Sequence, residues 1–238
     1  MTKLKKTLKI IAGIVVFFTL PTLLLFGFLY LKYDTELPQG KSGLEAEQLA
    51  DKMLEVLDYK AYEQTDYMEW TFKRRHHYKW DKANKTCDVY WKNYRVHLYL
   101  NNPSQSDVFK DEQPVTSETK TELIAKAVSY FNNDSFWLVA PYKVKDPGTT
   151  RKLVSLPNGK NGLLVTYNSG GSTPGDSYLW HLDDSGKPVS FQMWVSILPI
   201  DGLEATWNDW TTTESGAILP TFHKFMVFGI EIDGIITR

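Results

Sequence analysis

Cysteine is nearly absent from this chain: Cys87 is the only one in 238 residues. One thiol makes no internal disulfide and no cysteine-based metal cluster. Excess charge is lacking too, since 27 Lys and Arg face 28 Asp and Glu. Without a basic surplus there is little to hold a phosphate backbone, which argues against nucleic acid as a partner. Reaction signatures are also missing. There is no His-Glu-x-x-His pair for zinc, no phosphate loop, no Gly-x-Ser-x-Gly elbow and no calcium-loop spacing. His76 and His77 are adjacent, so on a strand they face opposite ways and cannot share one ion. His97 and His181 stand alone, and a hydrolase built on Asp176 or His181 would have no recognisable nucleophile or metal beside it. The expectation is a protein without catalytic residues, metal or cofactor.

What the chain does have begins at its N-terminus. Lys3, Lys5, Lys6 and Lys9 precede twenty-two uncharged residues, Ile10 to Leu31. About 20 apolar residues cross a bilayer as a helix. The run is longer than the 7–15 residues of a signal-peptide core, and no Ala-x-Ala site follows it. It reads as an uncleaved anchor over residues 1–33, with Tyr30 and Tyr33 at the far interface. By the positive-inside rule the N-terminus stays in the cytoplasm and the rest lies outside. In a bacterium that is a single-pass protein of the inner membrane with a periplasmic domain. The membrane is thus the first expected partner.

Residues 34–42 form a polar linker with Pro38 and Gly40, and residues 43–238 one further domain. Ser42 and Glu45 fit a capping box, opening an amphipathic helix from about Gly43 to Asp58. From Tyr67 to Leu100 apolar residues alternate with polar ones through four segments separated by turns, which predicts an antiparallel meander. A second helix is expected from about Ser117 to Asn132, and a short strand from Ser135 to Ala140. Further strands are expected at 151–156, 162–168, 176–182, 188–196, 203–212 and 225–232. Aromatic residues make up 14% of the chain, a composition suited to strands and broad buried faces. The fold class is α+β: a transmembrane helix, then a curved, open, barrel-like antiparallel sheet covered by two or more helices.

The order of these elements resembles that of LolA/LolB-like exported proteins. The likeness runs from Leu49-Ala50-Asp51-Lys52-Met53-Leu54 through aromatic strands with a helix inserted in mid-sheet. Arg74-Arg75-His76-His77-Tyr78-Lys79-Trp80-Asp81 and Tyr167 to Tyr178 resemble an uncharacterised branch of that group from Bacteroidota-type bacteria. The resemblance implies an incomplete barrel with a helical lid and an apolar cavity for lipoprotein acyl chains. The carriers of that group are soluble or lipid-anchored. A chain held by a helix cannot ferry cargo alone, which leaves local acceptance or binding beside the membrane.

The pocket wall expected on this reading is Trp70, Phe72, Tyr78, Trp80, Trp180, Phe191, Met193 and Trp207. A flexible flap is expected at Gly170, Gly171, Pro174 and Gly175. The basic run Lys73-Arg74-Arg75 is either a solvated hairpin end or a contact for anionic headgroups. The expected function is a membrane-anchored binding module for an acyl chain, lipid or lipoprotein segment. The alternative is an envelope interaction protein with a filled core and a protein partner. Alternation alone does not separate a filled core from an empty cavity.

Overall fold

The apolar run forms α1 (Lys3–Tyr33), whose most apolar stretch has no buried residue. This computed structural model describes residues 3–116, 118–170 and 172–238. Pro21 sits inside α1. At the exit, Leu29 and Tyr33 pack on the edge of the domain core. Residues 34–41 are extended and held against the domain. Thr35 N donates to Asp201 O at 3.2 Å, Trp194 Nε1 donates to Thr35 O at 2.8 Å, and Lys41 bridges to Leu153.

Helix α2 (Leu44–Val56) buries Ala46, Ala50, Met53 and Leu54 at helical spacing. The capping box expected at Ser42 is not formed. The N-cap is Gly43, whose φ of 140° is outside the usual range for other residues, and no side chain caps the helix. A short helix, α3 (Tyr59–Gln64), follows, capped by the Asp58 carboxylate accepting from Ala61 N at 3.1 Å. The meander is present as β1 (Tyr67–Phe72), β2 (His76–Asp81), β3 (Thr86–Trp91) and β4 (Tyr94–Tyr99). Met68, Trp70 and Phe72 share the buried face of β1, as alternation requires. Two short strands unforeseen in the sequence, β5 (Asp107–Lys110) and β6 (Gln113–Pro114), extend it.

The largest departure is α4 (Thr119–Val139), followed by a 3-10 turn over Ala140–Lys143. The strand expected at Ser135 to Ala140 is helix. Asn and Asp side chains such as Asn132, Asn133 and Asp134 compete for backbone hydrogen bonds and disfavour helix interiors. Here Asn132 and Asp134 are engaged elsewhere, Asn132 by Ser172 and Asp134 by β2. The helical stripe therefore continues from Ala127 and Phe131 to Ser135 and Leu138. The expected start at Ser117 lies outside the described residues.

The remaining strands are β7 (Thr149–Ser155), β8 (Asn161–Tyr167), β9 (Ser177–Leu182), β10 (Pro188–Trp194), β11 (Leu203–Thr206), β12 (Asn208–Thr212), β13 (Ile218–Phe225) and β14 (Phe228–Thr237). The segment expected as one strand at 225–232 straddles the tip between β13 and β14. Among the described residues fourteen strands join one antiparallel sheet, in the order β6-β5-β4-β3-β2-β1-β14-β13-β11-β10-β9-β8-β7, with β12 paired to β13. The last strand thus lies near the middle and joins the two halves. The sheet is open at β6 and β7 and curves around one large core. Helix α4 packs mainly on β3, β4, β5 and β13, and α2 on β7 and β8.

Candidate functional site

A cavity of about 590 Å³ lies between α4 and strands β9 and β10. Phe131, Phe136 and Trp137 of α4 line one side. Tyr178 of β9, Phe191 and Met193 of β10, and Trp80 of β2 line the other. The aromatic rings interlock at the wall: Phe136 lies 4.7 Å from Tyr178, Trp137 5.6 Å from Phe191, and Phe131 5.3 Å from Trp80. Among these, Tyr167 is the wall's distinctive polar group. Its hydroxyl is buried and makes no hydrogen bond among the described residues, and burial pushes its acidity well below that of a free phenol. The residue lines the cavity, while its protonated hydroxyl is buried out of reach of water.

The mouth is built by loops. Ser169, Gly170, Ser172 and Thr173 lie between β8 and β9, and Val195, Ile197 and Leu198 between β10 and β11. Asp176 ties the two loops together. One carboxylate oxygen accepts from Ser196 N at 3.0 Å, and the other from Thr173 Oγ1 at 2.5 Å. Asn132 Nδ2 donates to Ser172 Oγ at 2.9 Å, pinning the first loop to α4.

The structure divides the residues expected in the pocket. Trp80, Phe191 and Met193 line the cavity. Trp70, Tyr78, Trp180 and Trp207 are fully buried in the core behind it. Phe72 lines a neighbouring cleft of about 340 Å³ with Lys73, Arg75, His76 and Asp134. Gly170 is at the mouth, Pro174 and Gly175 stand further along the same loop, and Gly171 lies outside the described residues. Reading 135–140 as a strand hid Phe136 and Trp137. The signal that could have found them is the helical stripe running on past Asn132.

A buried polar cluster fastens α4 beside the cavity. Tyr78 Oη donates to Asp134 Oδ2 at 2.6 Å, and His76 Nδ1 donates to the same oxygen at 2.7 Å. Asn133 Nδ2 donates to the other oxygen at 2.8 Å. The Tyr78 pKa is raised well above that of a free phenol, first by burial and then by the adjacent carboxylate, so it stays a protonated donor. The other histidines also have partners: His77 with Glu69 at 3.1 Å, His97 with Asp88 at 2.9 Å, and His181 with Gln192 at 3.3 Å. Among the described residues no group of three or more His, Cys, Asp or Glu is placed to hold a metal.

No family model matches this chain, and no curated protein does. One solved structure with a general likeness is a DUF1329 family protein from Desulfovibrio piger, at 7% identity and a TM-score of 0.39 over 81% of this chain and 93% of that one. At those values the likeness assigns neither family nor activity.

Proposed function

We propose that this chain is a membrane-anchored binding module whose cavity holds one apolar chain, such as the acyl tail of a lipid or lipoprotein. In this reading α1 spans the inner membrane, its lysines face the cytoplasm, and the domain lies outside. The carrying observation is the aromatic-walled cavity of about 590 Å³, within the roughly 300–1,000 Å³ usual for ligand sites. No bond needs to be made or broken. Affinity comes from removing methylene groups from water, at about 0.8 kcal/mol each.

That value supplies the test. For the anchor-free domain, residues 34–238, two added methylenes in a fatty-acid probe contribute about 1.6 kcal/mol, somewhat more than tenfold in Kd. Affinity should rise at that rate with chain length and then level off once the cavity is full. Ser135 is small, buried and lines the cavity. Ser135→Phe fills part of that space and should bring the plateau to a shorter chain. A clean apo mass for the parent, with no uptake of any probe length, would refute the reading. Protein partners found by crosslinking would then support the envelope-interaction alternative.

A further inference from the structure

Strand register places the cavity mouth and the exit of α1 at the same end of the sheet. Phe72 faces His76 across the β1–β2 turn and Ile232 on β14. Phe225 faces Phe228, Ser177 faces Trp194, and Met193 faces Leu203. Antiparallel pairing therefore brings the β1–β2 turn, the β13–β14 tip, the β8–β9 loop and the β10–β11 loop to one end. Leu31 is the last apolar residue of the span, and Asp34, three residues on, accepts through Oδ1 from Asp201 N at 3.0 Å. Three helical residues rise only about 4.5 Å. The headgroup layer on each side of a bilayer is about 5–7 Å deep. Gly202 permits this close docking, since a Cβ there would collide with Thr35 Oγ1.

Exposed apolar side chains lie at this end too, although Leu44 on α2, and Tyr99 and Ile236 toward the other end, are also exposed. Ile197 is 67% exposed, Val227 84% and Phe228 62%. At the opposite end the turns Asp81 to Lys85, Pro157 to Lys160, Asp183 to Lys187 and Thr213 to Gly216 carry no large apolar side chain, whereas the β4–β5 connection there carries Leu100. Lys73 and Arg75, on the β1–β2 turn, are exposed. Arg74 between them pairs with Glu231 and Asp233. Basic side chains at an anionic surface gain about 1 kcal/mol each.

We propose that this end of the sheet is seated on the outer leaflet of the bilayer that α1 crosses. The β10–β11 loop and the β13–β14 tip enter the headgroup layer, Lys73 and Arg75 contact anionic headgroups, and the cavity opens directly onto that leaflet. The inference rests on α1 being a retained span, and its consequence for loading rests on the cavity reading above.

The test uses the full chain in nanodiscs of three parts phosphatidylcholine to one part phosphatidylglycerol. Nitroxides are placed at Ile197→Cys, Val227→Cys and, as an aqueous control, Ser185→Cys; Cys87 is buried and does not compete. Labels at 197 and 227 should be rich in oxygen contact and shielded from a water-soluble nickel chelate, as expected about 5–10 Å into the interface. Equal nickel access at all three sites would overturn the proposal. Release of the chain by alkaline carbonate would instead overturn the span. Val227→Asp alters an exposed tip residue that does not line the cavity and leaves Phe228 opposite Phe225, which does line it. It should leave the affinity for a soluble short-chain probe unchanged while slowing uptake from vesicles about tenfold, equivalent to about 1.4 kcal/mol. Unchanged vesicle uptake would refute direct loading, and a parent that binds no probe would refute the cavity reading instead.

Discussion

Replacing Asp134 by alanine removes the acceptor that fastens the middle of α4 to β2. Asp134 is 2% exposed and Tyr78 fully buried, so water cannot readily replace the lost partner. An orphaned buried hydroxyl costs about 1–3 kcal/mol, and loss of hydrogen bonds to a charged acceptor about 1.5–3 kcal/mol. Asp134→Ala should therefore destabilise the domain by about 3–5 kcal/mol. Tyr78→Phe should cost less, about 1–2 kcal/mol, because the carboxylate keeps His76 and Asn133. Once Tyr78 is phenylalanine, Asp134→Ala orphans nothing on β2 except His76, which is partly exposed. The double variant should thus be more stable than the sum of the singles predicts, by about 1–3 kcal/mol. Urea unfolding of the 34–238 domain and its three variants measures this coupling. Additivity within about 0.5 kcal/mol would mean that the carboxylate does not hold the phenol, and the latch assignment would fail.

Gly202→Ala introduces a Cβ onto Thr35 at a residue with φ of 76°. It should destabilise by about 1–2 kcal/mol and make residues 34–41 a preferred site of limited proteolysis; an unchanged cleavage pattern would count against a docked linker. His223 is buried, donates from Nδ1 to Thr206 O at 2.9 Å, and has a pKa lowered by burial to about 4. Between the unfolded value of about 6.5 and this one the unfolded chain binds the extra proton. Its contribution is then present above about pH 6.5 and is lost as pH falls toward 4, by up to about 3 kcal/mol. His223→Asn preserves a donor and removes the ionisation, so urea midpoints measured from pH 7 to pH 4 should fall less steeply than in the parent; equal slopes would refute the assignment.

The features most legible in the sequence were those set by local period. Met68, Trp70 and Phe72 declared β1 by alternation, and Leu49, Met53 and Leu57 declared the stripe of the first amphipathic helix. Misreadings arose where tertiary partners decided the outcome. Ser42 was a plausible cap, yet the chain enters α2 through Gly43 in a conformation suited to glycine. The helix expected to end near Asn132 runs on to Val139, with Asn132 bonded to the β8–β9 loop and Asp134 to β2. Tyr142 gave no local sign of its role, yet its hydroxyl lies 2.8 Å from Leu57 O and 2.6 Å from Ile218 O. Such ties join residues far apart in sequence, where periodicity carries no information.

Whether the apolar face is filled or hollow was likewise beyond alternation, but coverage explains it. Thirteen strands along the sheet path, at about 4.8 Å per strand, make a ribbon roughly 60 Å wide before it curves. An α-helix with its side chains is only about 10–12 Å across, so α2 and α4 cannot cover that width side by side. Curvature lets α4 fill the trough over β3, β4, β5 and β13, while α2 covers β7 and β8. Under α4 the core is dense, with Trp70 stacked on Tyr78 at 4.6 Å and both fully buried. Between the helices lie β9 and β10, whose Tyr178, Phe191 and Met193 meet only the flank of α4 at Phe136 and Trp137. The cavity is there because two helices are too few for the sheet, and Ser135 at the seam is too small to close it. A bulky residue at Ser135 therefore probes the origin of the cavity as well as its occupancy.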